Sequence, residues 1–168
     1  MLVQIIGFIG FFFLGLGNLQ KNRKKIIILQ MISSMFFSVH YFLLNAITAS
    51  ILNLIGITRG FVFYNKNNTK KYYVYLFMYI LLYVVIGIIT YDNIFSLLPV
   101  LAYILFTISI FNEKEKNIKI INIFVSLTWI IYDLIYKSYA GFISDIVMII
   151  TTVIGLFMLN KNTKVLKK

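Results

Sequence analysis

The 168 residues are 61% hydrophobic and only 12% charged, with a mean hydropathy of +0.91 and a net charge of +11. A soluble globule of this size would carry apolar side chains over most of its exterior, so the composition excludes a soluble fold and reads as an integral membrane protein. Zero cysteines exclude disulfides, iron–sulfur clusters and thiolate zinc sites, and one histidine among scattered acids offers neither a metal site nor a cofactor site.

A hydrocarbon core about 30 Å thick takes roughly 20 apolar residues per helix, and irregular backbone facing lipid is excluded because its polar groups stay unpaired. Seven segments meet that test, and they predict an all-α protein of seven transmembrane helices. The first, residues 1–18, is as hydrophobic as a signal peptide, but its charges at Lys21, Arg23, Lys24 and Lys25 follow the apolar run instead of preceding it. It is therefore predicted to be a retained helix. The second and third, 26–44 and 46–64, are separated only near Asn45, the least marked boundary in the chain. The fourth covers 72–90 and the fifth 94–111, followed by the charged turn Glu113-Lys114-Glu115-Lys116-Asn117. The sixth, 118–136, and the seventh, 140–159, are divided by a clear turn at Lys137-Ser138.

Shifted by 92 positions, the chain lies over itself without a gap. The basic turn after the first helix meets the charged turn after the fifth, and Asn45 meets Lys137. Polar and aromatic positions pair across the apolar background: Gln30 with Asn122, Ser34 with Ser126, Phe37 with Trp129 and Asn53 with Asp145. Such pairs are what a shared central cavity requires. An odd number of helices per unit would invert the second copy unless one helix intervened. The expected layout is accordingly 3+1+3: a first three-helix unit over 1–71, a linker helix over 72–92 and a second unit with a basic tail over 93–168. Both copies then point the same way, as parallel pseudo-symmetric repeats.

Cytoplasmic loops retain Lys and Arg during insertion. Fourteen of the sixteen basic residues fall in the first, third and fifth turns and the tail; the exceptions are Lys137 and Arg59. This predicts an N-terminus outside and a cytoplasmic C-terminus. Because the charge sits at helix ends with no soluble domain to present a groove, lipid headgroups explain it better than nucleic acid. The expected partners are the lipid bilayer and a small polar solute, with a homo-oligomer left open.

This layout, Trp129 followed sixteen residues later by Asp145, and the matching Phe37 and Asn53 resemble the SWEET and PQ-loop superfamily. Within it, the stretches Tyr41 to Ala49 and Tyr132 to Gly141 look most like the bacterial inner-membrane family Imp-YgjV. The resemblance covers nearly the whole chain and implies a multi-pass inner-membrane protein. It also implies a substrate pocket lined by Phe37, Asn53, Trp129 and Asp145, since sugar-transporting relatives use an aromatic and an Asn from each half. The chain departs from that pattern in two ways. Pro99 is the only proline and its repeat partner is Gly7, so the fourfold proline hinge is missing, and one pocket Asn is the acid Asp145. Both put sugar specificity and the usual gating in doubt.

Side-chain spacing gives a cavity without that resemblance, because positions three or four apart share a helix face. Gln30, Ser34, Phe37 and Tyr41 form one stripe, with His40 beside it, and Asn122, Ser126, Trp129 and Asp133 form the equivalent one. Opposite them stand Ala49, Asn53, Gly56 and Gly60 on the third helix and Gly141, Asp145, Met148 and Thr152 on the seventh. The plainer reading is that Ser, Gln, Asn and small residues only join helices, and it is favoured for Gly56 and Gly60. Asp145 is the strongest candidate, since an ionisable group inside an apolar helix costs at least about 2.5 kcal/mol unless it meets water or a partner. It is also the candidate for proton coupling; the alternative is a buried hydrogen bond to Tyr132 or Asn53. Arg59 either snorkels to headgroups or pairs with an anionic solute, His40 reads as a satisfied interfacial side chain, and Asp133 as a partner of Lys137. No nucleophile, base and acid share a depth, there is no HExxH pair and no phosphate loop, so the expectation is a transporter and not an enzyme. A receptor or structural membrane protein of the same fold is the alternative.

Overall fold

Each apolar run closes its own backbone hydrogen bonds as helix, which besides a closed barrel is the only solution open to a chain in hydrocarbon. The computed structural model describes residues 1–18, 20, 22–64, 71–111 and 115–165, and contains no strand among them. The order is α1 (Leu2–Asn18), α2 (Arg23–Leu43), α3 (Ile47–Tyr64), α4 (Lys71–Ile89), a 3-10 turn (Ile94–Ser96), α5 (Leu97–Phe111), α6 (Glu115–Ile135) and α7 (Tyr139–Val165). Lys21, Lys66, Lys70, Glu113, Lys114, Lys167 and Lys168, on which much of the expected charge pattern rests, lie outside the described residues.

Five of these helices are long and apolar enough to cross a membrane: Lys24–Leu43, Ile47–Tyr64, Tyr72–Ile89, Lys116–Ile135 and Tyr139–Phe157. The other two apolar stretches, Leu2–Gly17 and Ile94–Ser109, are shorter. α1 has 17 residues, about 25 Å of axis, and α5 has 15. The fifth segment loses helical length at its start, where Asn93 caps a tight 3-10 turn by accepting from the Phe95 N–H at 2.9 Å. Pro99 follows as the third residue of α5, where a missing N–H costs no helical bond.

Burial runs opposite to that of a soluble protein. Ser33, Ser38, His40, Thr48, Ser50, Asn53, Arg59, Thr107, Asp133 and Ser138 are buried, while Phe61, Phe77, Ile88, Phe124 and Phe157 are exposed. Lipid is as apolar as Leu, so an aliphatic exterior costs nothing there, and the interior can be given to small and hydrogen-bonding residues. Ser38 and Ser50 illustrate the result: each hydroxyl donates to the other's carbonyl, at 3.0 and 2.9 Å, and locks α2 to α3.

α2 packs between α1 and α3, and α6 between α5 and α7; α1 also meets α7, and α3 meets α5. α4 rests on α3 and α5 through one stripe, Tyr79, Tyr83 and Gly87, at i, i+4 and i+8. A Cβ at Gly87 would come within 2.6 Å of Val100 Cγ2, so only glycine permits this approach to α5. α3 is the central helix: Thr48, Leu52, Asn53, Gly56, Arg59 and Phe63 are all buried.

The turns after α2 and α6 are alike. Among the described residues, Asn45 and Lys137 are the non-glycine residues with positive φ, 58° and 55°. The next residue's N–H reaches back over each turn, Ala46 to the Tyr41 carbonyl and Ser138 to the Asp133 carbonyl, both at 2.9 Å. This is the Schellman ending, in which a left-handed residue lets orphan carbonyls be satisfied. The faint boundary at Asn45 is thus a helix stop of the same kind as the clear one at Lys137.

Candidate functional site

A cavity of about 340 Å³ lies among α1, α2, α3, α5, α6 and α7, within the range of roughly 300–1,000 Å³ common for small-molecule sites. All eight residues expected to face solute are on its wall: Gln30, Ser34, Phe37, Asn53, Asn122, Ser126, Trp129 and Asp145. Helical spacing brings them there: residues three, four or seven apart on α2 and α6 project the same way, and α3 and α7 close the opposite sides. Gly56, Gly60, Gly141 and Met148 of the expected stripes also line it, whereas Ala49, Asp133 and Thr152 do not.

Aromatic rings form the wall at the end bearing the Asn45 and Lys137 turns. Tyr41 stacks on Trp129, with ring centres 5.4 Å apart and planes 19° off parallel, and Phe37 stacks on Tyr41 at 6.0 Å. Trp129 meets Tyr103 and Tyr132 edge-on, at 6.0 and 5.8 Å. Of the amides, Asn53 spends its Nδ2 on the Ala49 carbonyl at 2.9 Å, which leaves its oxygen as acceptor. Asn122 has the complementary arrangement: its Oδ1 accepts from Ser109 Oγ at 2.8 Å, which leaves its NH2 as donor. The Ser126 hydroxyl lies beside the Asp145 carboxyl. Neither of the alternative partners for Asp145 engages it, since the Tyr132 hydroxyl lies toward Ala49 and Tyr136 and the Asn53 amide is bonded to its own helix.

Arg59 does not snorkel. It is only 6% exposed and lines the cavity, because α3 is packed on several sides and offers the side chain no lipid-facing path. Its Nη1 donates to Thr107 Oγ1 at 2.9 Å, and its guanidinium carbon stands 4.5 Å from the Phe106 ring centre and 5.6 Å from that of Tyr103. Thr107 in turn donates to the Tyr103 carbonyl at 2.7 Å, so its oxygen is free to accept.

The Asn45 end of the cavity is closed by a hydrogen-bonded layer. Tyr41 donates to Asp133 Oδ1 at 2.8 Å. His40 is fully buried, with Nδ1 2.8 Å from the Val3 carbonyl and Nε2 2.9 Å from Ser138 Oγ. A carbonyl only accepts, so Nδ1 carries the proton. Gln4 donates to the Lys137 carbonyl at 2.9 Å and accepts from the Ala140 N–H at 3.2 Å. His40 is thus satisfied as expected, though in the interior and not at an interface. Asp133 is a correction: it is 1% exposed and bonded to Tyr41, while Lys137 is exposed. Four-residue spacing does not pair them because Lys137 lies past the helix end at φ 55°.

Gly56 and Gly60 serve packing, as expected, as well as lining the cavity. A Cβ at Gly60 would overlap the Met31 side chain, and one at Gly56 would stand 3.1 Å from Tyr103. The wall residues that spacing did not single out include Ile26, Ile27, Met31 and Ser33 of α2 and the whole contribution of α5, namely Ala102, Tyr103 and Phe106. The one sequence signal from α5 was Tyr103 and Thr107 four apart on an otherwise aliphatic run.

Among the described residues no group of three His, Cys, Asp or Glu could hold a metal ion. Neither the curated proteins nor the solved structures give a match to the chain. A family model described as bacterial inner membrane protein, Imp-YgjV, matches residues 1–163. The cavity-bearing helical bundle is therefore that of a multi-pass inner-membrane protein, and the chain belongs to the Imp-YgjV family.

Proposed function

We propose that the protein carries a small polar solute across the inner membrane by alternating access. The observation that carries this reading is the cavity itself: polar and charged side chains from α2, α3, α6 and α7 converge on one space inside an apolar bundle. Intramembrane ionisable groups are costly, and two of them, Arg59 and Asp145, stand on the same wall.

The moving parts are two three-helix units, α1–α3 and α5–α7, joined by α4 in a 3+1+3 parallel repeat of the SWEET and PQ-loop kind. Three findings support that duplication. The seams α1–α7 and α3–α5 exchange with each other under the 92-residue shift. So do the left-handed turns at Asn45 and Lys137. The Tyr41–Asp133 bond joins residues 92 apart, as expected of a contact on a twofold axis. In this reading the bonded layer at the Asn45 end faces outward and seals the cavity. Rocking of the units would break it and close the basic end.

Asp145 is the group through which a proton would accompany the solute, and no catalytic role is assigned to any residue. The test is solute uptake by vesicles containing only this protein. Saturable flux that loses its pH dependence in Asp145→Asn is the expected result. Absence of flux for pooled sugars, amino acids and organic acids would favour a receptor or structural role.

A further inference from the structure

We infer that the solute taken by this cavity bears a carboxylate, seated on Arg59. The inference deepens the transport reading and rests on it only in treating the cavity as a solute site.

The Arg59 guanidinium offers five N–H donors in a rigid fork. Among the described residues one of them is used, by the neutral hydroxyl of Thr107, and no carboxylate pairs with the guanidinium. The rings of Phe106 and Tyr103 hold the group in place without neutralising it. A cation placed like this in an apolar bundle is a poor packing element, since a Leu or Met would fill the space without the desolvation cost. Its retained charge and unspent donors are suited to a planar two-oxygen anion.

The rest of the wall narrows the class. Arg59 is the one cation and Asp145 the one acid among the described lining residues. A phosphate dianion would meet a single positive charge, whereas a singly charged carboxylate matches Arg59 one for one. Arg59 lies six residues beyond Asn53 on α3, about 9 Å along the axis toward the basic end. A solute with its carboxylate there can direct a hydroxyl or ammonium end toward the Asn53 oxygen and the Asp145 carboxyl. Amino acids and short hydroxy acids fit this description; neutral sugars leave the guanidinium unanswered.

The experiment is a binding titration of the purified full chain, read by fluorescence of its single tryptophan, Trp129, and by heat of binding. The probes are L-alanine, L-glutamine and lactate, each against its carboxamide, together with glucose and inorganic phosphate. The expected result is saturable binding of an acid, with its carboxamide and glucose about ten- to hundredfold weaker, the loss typical of a charge-assisted pair. Arg59→Gln should remove the preference, and Thr107→Val, which frees the guanidinium, should weaken it; the wild-type comparison stands even where a variant misfolds. Equal binding of an acid and its carboxamide, preferred binding of glucose, or tighter binding of phosphate overturns the inference and leaves transport intact. Silence toward every probe in both readouts also overturns it. In that case vesicle flux of a pooled solute mixture decides separately whether the transport reading survives.

Discussion

Tyr41 and Asp133 are 92 residues apart in the chain and 2.8 Å apart in space, the phenol of α2 donating to the carboxyl of α6. The other oxygen, Asp133 Oδ2, has no partner among the described residues. Tyr41 therefore holds Oδ1 of a fully buried carboxyl that also has Ser138 beside it, and it forms the stacking surface for Trp129.

Removing that hydroxyl leaves Oδ1 of the buried carboxyl without its donor. Tyr41→Phe should destabilise the protein by about 1 kcal/mol, the scale of an interhelical bond in membranes, and by up to about 3 kcal/mol if the orphaned group stays dry. Denaturant unfolding in detergent measures this, with Phe37→Leu as a packing control. Unchanged stability would show that the bond contributes nothing net.

Glycine at 141 is required by the same layer. A Cβ there would overlap Asp133 Oδ2 and lie 2.6 Å from Ser138 Oγ, whereas at Gly15 nothing lies within 4 Å. Gly141→Ala should cost about 1–3 kcal/mol by overpacking. Gly15→Ala should be neutral or stabilising by up to about 1 kcal/mol. The two melting temperatures, compared side by side, check the pair.

The natural absence of cysteine makes every introduced thiol unique. Ser34→Cys and Ser126→Cys place one on the cavity wall, and Ser38→Cys places one in the α2–α3 seam. A small hydrophilic thiol reagent should label the first two and spare the third. Applied to oriented vesicles, it should reach them faster from the side bearing the basic turns. Equal labelling at all three positions would contradict the wall as described.

Topology gives the fourth test. A C-terminal reporter active only outside the cytoplasm should be silent, and the same reporter at the N-terminus should be active, since in the sequence ten of the sixteen basic residues fall around the first, third and fifth predicted turns and four in the tail.

How much of this was legible in advance follows from what helical spacing can encode. The stripes Gln30-Ser34-Phe37-Tyr41 and Asn122-Ser126-Trp129 depend only on residues along one helix, and they face the cavity together. The stop at Asn45 is nearly silent in an unbroken apolar run and was readable only through its counterpart at Lys137. Arg59 could not be placed, because its position along α3 suits a headgroup as well as a cavity. Thr107 and Phe106 decide the matter, and both come from a helix some 48 residues away. Asp133 was misread because four-residue spacing was applied across a helix end.

The counterpart of Arg59 under the 92-residue shift is Thr151, which is exposed and donates to the Val147 carbonyl of its own helix at 2.9 Å. The counterpart of Asp145 is the uncharged Asn53. Two identical short chains meeting at one axis would each have supplied whichever charge they carried, setting cation against cation or acid against acid. The proposed 3+1+3 repeat removes that constraint, because two halves in one chain can diverge separately. The resulting chamber is chemically lopsided, with a guanidinium on α3 and a carboxyl on α7, so a guest with unlike ends has one preferred way to lie within it.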